Sequence, residues 1–364
     1  MRMKSHGNNY DMKKKGSELS GVKEIARRAN VSIGTVDRVL HNRTGVSAKT
    51  REKVNRIIIE LDYQPNLLAR RLASRKIIHF ATLIPKVSEE TSFWEAPLRG
   101  IEQAELEIRQ YNVKIEKYFF DQNDSVSFIK QAQKILKKKP DGILMAPSFI
   151  AEAIDVTNKC KDLGIPYVFM DSNIPNQNSL SYIGPHLYRS GYLAANLVSY
   201  IVDEADRILV INISKEIDNH HHLLRKEEGF RGYFKDHKKN NSIVKIDISH
   251  IDYNTIEKEI SRMLSKFKDI KLVFVTNSKV SIVARYLQKL NKKTILIGYD
   301  FLEENIDLLN EGSIDFLICQ KPGEQAYKGI MTLYKHLVMA LPVEEIVFMP
   351  IDIITKENYS YYRN

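Results

Sequence analysis

A small all-α helix-turn-helix module followed by a two-lobed α/β body, its parallel sheets flanked by helices, is expected of this chain of 364 residues. Three observations lead there. Residues 1–76 contain 18 Lys and Arg against 7 Asp and Glu, a net +11, whereas the remainder carries 37 against 38. Apolar residues recur at helical spacing from Val22 to Leu61, broken twice by capping residues. From Ile77 onward, short apolar runs alternate with amphipathic stretches, the pattern of strands and crossover helices. A basic module on a near-neutral body points to a polyanionic partner at one end.

Residues 1–19 read as a flexible basic tail without the apolar segment of a secretory signal. No run of eighteen apolar residues is present, so no membrane partner is expected and a cytoplasmic location is. Cys160 and Cys319 have no metal-like spacing and read as reduced thiols. Neither a metal nor a cofactor is expected. His220, His221 and His222 are consecutive, cannot all face one ion, and read as a solvated loop near a cleft.

The helix-turn-helix domain spans 20–64. Val22, Ile25, Ala26 and Ala29 make a first helix, and Asn30 and Val31 a tight turn. Ser32 caps a second helix, 33–40, whose Val36, Val39 and Leu40 face inward. After a loop over 42–46, Ser47 caps a third helix buried through Val54, Ile57, Ile58 and Leu61. The second helix of such a unit enters the major groove by its N-terminal end, here Ser32, Ile33, Gly34 and Thr35. Arg38, one turn on, reaches a guanine edge or a phosphate; Lys49 and Arg51 are phosphate candidates. Asp37 is unexpected there: it either pairs with Arg38 or a neighbour, or discriminates against some bases. Residues 65–76 form a hinge and linker, with Pro65 stopping the third helix and Asn66 capping a short helix over 67–73.

The body, 77–364, places strands at 77–84, 113–120, 142–146, 167–171, 207–213, 272–276 and 294–299. Helices fall at 97–109 and 125–138. Nearly 290 residues exceed one sheet, so two lobes are expected: about 77–183 with 321–347, and about 184–320 with 348–364. Ligands of parallel α/β sheets bind beyond the carboxyl ends of strands. Asp171, Asn277, Asp300 and Gln320 each follow an apolar strand, and Phe93 and Trp94 follow the first strand's exit. Aromatic faces with carboxylates and amides suit a polyhydroxylated ring, so these six are candidate ligand residues.

The segments VSIGTVDRVL, VSAKTREKV and YQPNLLARRL together resemble the headpiece and hinge of the lactose-repressor (LacI) family across residues 22–73. The resemblance implies base-reading positions at Ile33, Gly34 and Arg38. It also implies a hinge helix in the minor groove through Ala69 and Leu72, with Leu72 as the wedge. Asp37 stands where many members have Ser, and Gly34 replaces a longer side chain, so their base preference does not carry over. The body resembles the periplasmic-type sugar-binding domain that the family joins to its headpiece. That likeness implies stacking by Phe93 and Trp94, hydroxyl binding by Asp171, Asn277, Asp300 and Gln320, and a second-lobe aromatic at Tyr253. It further implies a clamping cation before Gly229-Phe230, for which Arg225 is chosen and Lys226 is the rival. Ser172 departs from relatives with Arg after the Asp.

The function implied is a sequence-specific transcriptional regulator, a repressor rather than an enzyme. Its partners are double-stranded, pseudo-palindromic operator DNA, a sugar effector between the lobes, and a second copy in a homodimer. A non-sugar effector, an activator, a sugar-binding module and a sugar-processing enzyme are the alternatives.

Overall fold

The computed structural model describes residues 21–40, 42–63, 76–88, 91–215, 221–250, 252–291 and 293–363. The chain divides into two units, Met1–Asn66 and Leu67–Asn364.

In the first unit, α1 (Val22–Ala29) ends where Asn30 turns left-handed, at φ 52°. α2 (Ile33–Leu40) follows at once, and α3 (Ala48–Glu60) starts where Ser47 Oγ accepts the Thr50 N–H at 3.2 Å. Three short helices are marginal alone, so the unit rests on one shared core. Ile25, Ala26, Ala29, Val36, Val39, Val54 and Ile57 form it. Ile58 and Leu61, expected inside, are only half-buried, at the edge of that cluster.

The second unit holds two six-stranded sheets. The first contains β1 (Ile78–Pro85), β2 (Val113–Phe120), β3 (Gly142–Met145), β4 (Tyr167–Met170), β5 (Ser181–Gly184) and β11 (Ile346–Phe348). Their spatial order is β11-β5-β4-β3-β1-β2. The second contains β6 (Arg207–Ile213), β7 (Ile243–Ile248), β8 (Ile270–Val275), β9 (Ile295–Tyr299), β10 (Phe316–Cys319) and β12 (Asp352–Ile354). Its order is β12-β10-β9-β8-β6-β7. Every pairing is parallel except β10 with β12. β3 and β4 are buried along their whole length, as parallel strands covered on both faces must be. In both sheets the connections reverse direction between the first and third strands, which opens a crevice at their carboxyl ends.

The chain passes between the lobes three times: after Gly184, after Cys319 and after Phe348. Phe348 pairs with Gly184, so the first lobe extends one residue past each expected boundary. α12 (Pro322–Leu337) returns to the first lobe and buries Ala326, Ile330 and Leu333 against Phe80, Ile101 and Leu144. In the second lobe, α7 (Leu187–Val198) and α8 (His221–Asp236) touch through glycines. A Cβ on Gly191 would sit 1.8 Å from Lys226 O, and one on Gly229 would sit 1.9 Å from Tyr188 O. Larger residues would drive the helices apart and rotate α8, which carries a residue of the cleft.

Candidate functional site

In the headpiece, Ser32, Ile33, Gly34 and Arg38 are exposed and Thr35 is half-buried. Ser32 Oγ accepts the Thr35 N–H at 3.1 Å, which caps α2 and fixes its first turn. A Cβ at Gly34 would meet only Ser32 Oγ, at 3.7 Å. Among the described residues nothing close by requires glycine there, although it costs the helix about 1 kcal/mol relative to Ala. Asp37 accepts from Arg43 Nη1 at 3.1 Å, so its ion pair is with the following loop. Lys49 is exposed on the first turn of α3. Arg51 instead turns inward: Nη1 donates to Asn42 Oδ1 at 2.6 Å and Nη2 to Arg43 O at 2.7 Å. It braces the loop after α2. Asn66, Ala69 and Leu72 lie outside the described residues.

The second site is a cleft between the two sheets, at both strand-order reversals. Phe93, Trp94, Asp171, Asn277, Asp300 and Gln320 all line it. Phe93 and Trp94 meet edge to face, with centroids 5.1 Å apart, and Trp94 Nε1 donates to Gln122 Oε1 at 3.3 Å. That contact holds the indole against the first lobe. Asp171 and Asp300 have left-handed backbones, at φ 65° and 75°. Non-glycine residues hold such a conformation only where their surroundings impose it. Gln325 does so for Asp171 by accepting its N–H at 3.0 Å, while Asn305 donates to Asp300 O at 3.1 Å. Asn277 is largely committed within the protein, since Nδ2 donates to Ile213 O at 2.6 Å and Oδ1 accepts the Lys279 N–H at 3.2 Å.

The cation that enters the cleft is Lys226, not Arg225. Glu227 fixes the phase of α8: its carboxylate accepts from Asn212 Nδ2 at 2.8 Å and from Arg231 Nε at 2.8 Å. With that face held on β6, Lys226 enters the cleft, buried, its Nζ donating to Thr276 O at 3.3 Å and lying 3.7 Å from the Tyr299 ring centroid. Arg225 falls on the far side, over the Tyr188 ring and paired with Glu228. Tyr253 is not among the residues that line this cleft. It opens α9 (Tyr253–Lys266) after its cap Asp252 and is 41% exposed. The histidine run is not a loop at its end either, because His221 starts α8 and His222 lines the cleft. Gln122, Ser148, Ser278 and Lys279 line it too, without having been singled out. All four sit on strand-exit loops, a signal that the search for single polar residues directly after apolar runs passed over. Among the described residues, no group of three His, Cys, Asp or Glu side chains is placed to hold a metal ion.

The charges are coupled. Burial pushes the Asp300 carboxyl up to about 7, with Lys226 pulling it back and Asp171 pushing it further. Burial raises Asp171 and lowers Lys226 for the same reason. Between the usual carboxylate value of 3.8 and about 7, the folded, ligand-free protein holds a proton that the unfolded chain has released. The contribution of Asp300 to stability therefore falls as pH rises through that window and is constant above it. A ligand group donating to the carboxylate expels the proton, so affinity for such a ligand should climb toward neutrality by at most about tenfold per pH unit. Titrations between about pH 5.5 and about pH 8.5 should show this rise and a plateau, and Asp300→Asn should flatten it. A flat profile for the unaltered protein would contradict the assignment.

Residues 21–66 match the family described as bacterial regulatory proteins, lacI family, and residues 80–339 match the periplasmic binding protein domain. A solved structure of a LacI-type transcriptional regulator from Bacteroides fragilis is 32% identical, with TM-score 0.74, over 79% of this chain and 100% of that one. The HTH-type transcriptional regulator RegA of Clostridium acetobutylicum is 32% identical over 154 residues, 42% of this chain and 43% of RegA. The chain thus spans about half the length of the curated relatives it matches, or less. GanP, a glucose-galactose binding protein from Geobacillus stearothermophilus, shares the fold at 24% identity and TM-score 0.70, over 78% of this chain and 99% of that one. No helix among the described residues is long and apolar enough to cross a membrane. The chain belongs to the lacI family of bacterial regulatory proteins, a helix-turn-helix of that family preceding a periplasmic binding protein domain.

Proposed function

We propose that the protein is a sequence-specific DNA-binding transcriptional regulator, most simply a repressor, switched by a sugar bound between its two lobes. The observation that carries this reading is the cleft itself: two aromatic rings, two aspartates, a glutamine and a buried lysine meet at the strand ends of both sheets. Such a set stacks on the apolar faces of a sugar and accepts from and donates to its hydroxyls. The same chain presents the exposed N-terminal end of α2 with Ser32, Ile33, Gly34 and Arg38. A helix-turn-helix contacts one half-site, so the active species is a homodimer on a pseudo-palindromic operator. Sugar binding controls DNA affinity through its different affinity for open and closed lobes, which turn about the three crossovers. The protein acts by binding, without altering the sugar.

Operator titrations at two salt concentrations, each with and without a sugar panel, test this. The unaltered protein should show a steep loss of affinity with salt, from released phosphate counterions. One sugar should shift the curve. Arg38→Ala should cost about 1–3 kcal/mol on the preferred sequence and little on random DNA. Equal affinity for every sequence, or no shift with any sugar, would overturn the reading.

A further inference from the structure

We propose that the cleft continues into a second, outer subsite and that the effector is a saccharide of at least two rings, the second ring lying on Tyr253. This inference rests on the sugar reading of the cleft. The inner cavity, bounded by Trp94, Asp171, Lys226 and Asp300, has a volume of about 100 Å³. Small-molecule sites span roughly 300–1,000 Å³, so the inner cavity alone is small for the task. It opens into an outer chamber of about 680 Å³, and Thr91, Ser278 and Lys279 line both. The shared residues come from both lobes and form the neck where a glycosidic oxygen would pass.

The outer chamber has the chemistry of a neutral polyol. Its charged groups balance, Asp252 and Glu304 against Lys279 and Arg285. A phosphate or other dianion needs a cationic excess, which this wall does not offer. Hydroxyl groups dominate the rest, from Ser88, Ser92 and Ser281 beside the two at the neck. Ser88 Oγ is buried without a hydrogen-bond partner among the described residues. Tyr253, 41% exposed at the first turn of α9, supplies the aromatic face on which a sugar ring stacks. The aromatics of the inner cleft, Phe93 and Trp94, come from the first lobe, and Tyr253 supplies one from the second lobe farther out.

Trp94 is the chain's only tryptophan and lines the inner cavity, so its fluorescence reports inner-site occupancy directly. The full chain is titrated with matched sugars: glucose against maltose and cellobiose, galactose against lactose and melibiose, xylose against xylobiose. One disaccharide is expected to bind at least about tenfold tighter than its component monosaccharide, a step of about 1.4 kcal/mol. Tyr253→Ala should shrink that ratio at least about fivefold, and Tyr253→Phe, which keeps the ring, should restore it. Being exposed, position 253 tolerates both without loss of fold. A monosaccharide binding as tightly as every disaccharide built from it would overturn the outer subsite while leaving the sugar reading intact. So would a ratio unchanged in Tyr253→Ala. Absence of any response at Trp94 to the panel would overturn both.

Discussion

Lys226→Met should abolish the response to sugar while leaving sugar-free DNA binding intact. Met fills much the same volume, so the change removes the charge and little packing. What remains is a pair of carboxylates, Asp171 and Asp300, stripped of the cation that holds both of them down. Truncating a buried charged group at a binding site costs about 2–5 kcal/mol of binding, a loss of sugar affinity of about thirtyfold or more. Both carboxyls then protonate more readily, so the rise of affinity with pH should move to higher pH. Arg225→Ala is the companion variant. Its guanidinium lies over Tyr188 and against Glu228, away from the cleft, so sugar affinity should change less than about twofold. Calorimetric titration of both proteins decides between the two cations. A larger loss in Arg225→Ala than in Lys226→Met would reverse the assignment.

Ile25→Ala should remove DNA binding by unfolding the headpiece. Ile25 has no exposed surface and packs with six other buried residues, two of them alanines. Truncating a buried Ile costs about 2–5 kcal/mol, and a unit this small has about that much stability to lose. Operator affinity should fall at least about a hundredfold at 25 °C, with helical signal lost from a domain that no longer melts cooperatively. Because the two units are separate, the Trp94 sugar titration should be unchanged. Loss of sugar binding in this variant would show that the units are not independent.

Much of this was legible in the amino-acid sequence because two periodicities carried it. Helical spacing located α1, α2 and α3, the last two with Ser caps, and apolar runs ending in polar residues located most of the strands, though not β5 or β7. Asp171, Asn277, Asp300 and Gln320 therefore arrive at one cleft as expected. What escaped depends on contacts distant in sequence. Arg225 and Lys226 are neighbours on one helix, and the grip of Asn212 on Glu227, with the close approach of Gly191 to Lys226 O and of Gly229 to Tyr188 O, decides which of them faces the cleft. Asn277 has the right chemistry and position, yet its amide joins two exit loops. That Arg51 also braces the loop after α2 depends on how that loop folds back, which the sequence does not show. The left-handed backbones of Asp171 and Asp300 have no signature at all in a side-chain pattern.

The three crossovers bear on how the chain is made. The first lobe cannot be completed from the segment that begins it, because α12, which covers β1 and β3, lies beyond the whole of the second lobe's parallel sheet. On the ribosome, the headpiece emerges early with its core complete. Phe80, Ile101 and Leu144 emerge next and stay uncovered until Ala326, Ile330 and Leu333 are translated. Over that interval the nascent chain exposes apolar surface and strand edges, the condition in which chaperones engage and aggregation competes with folding. Slow codons or truncations placed before Pro322 should therefore harm the yield of soluble protein far more than changes of the same size in the headpiece.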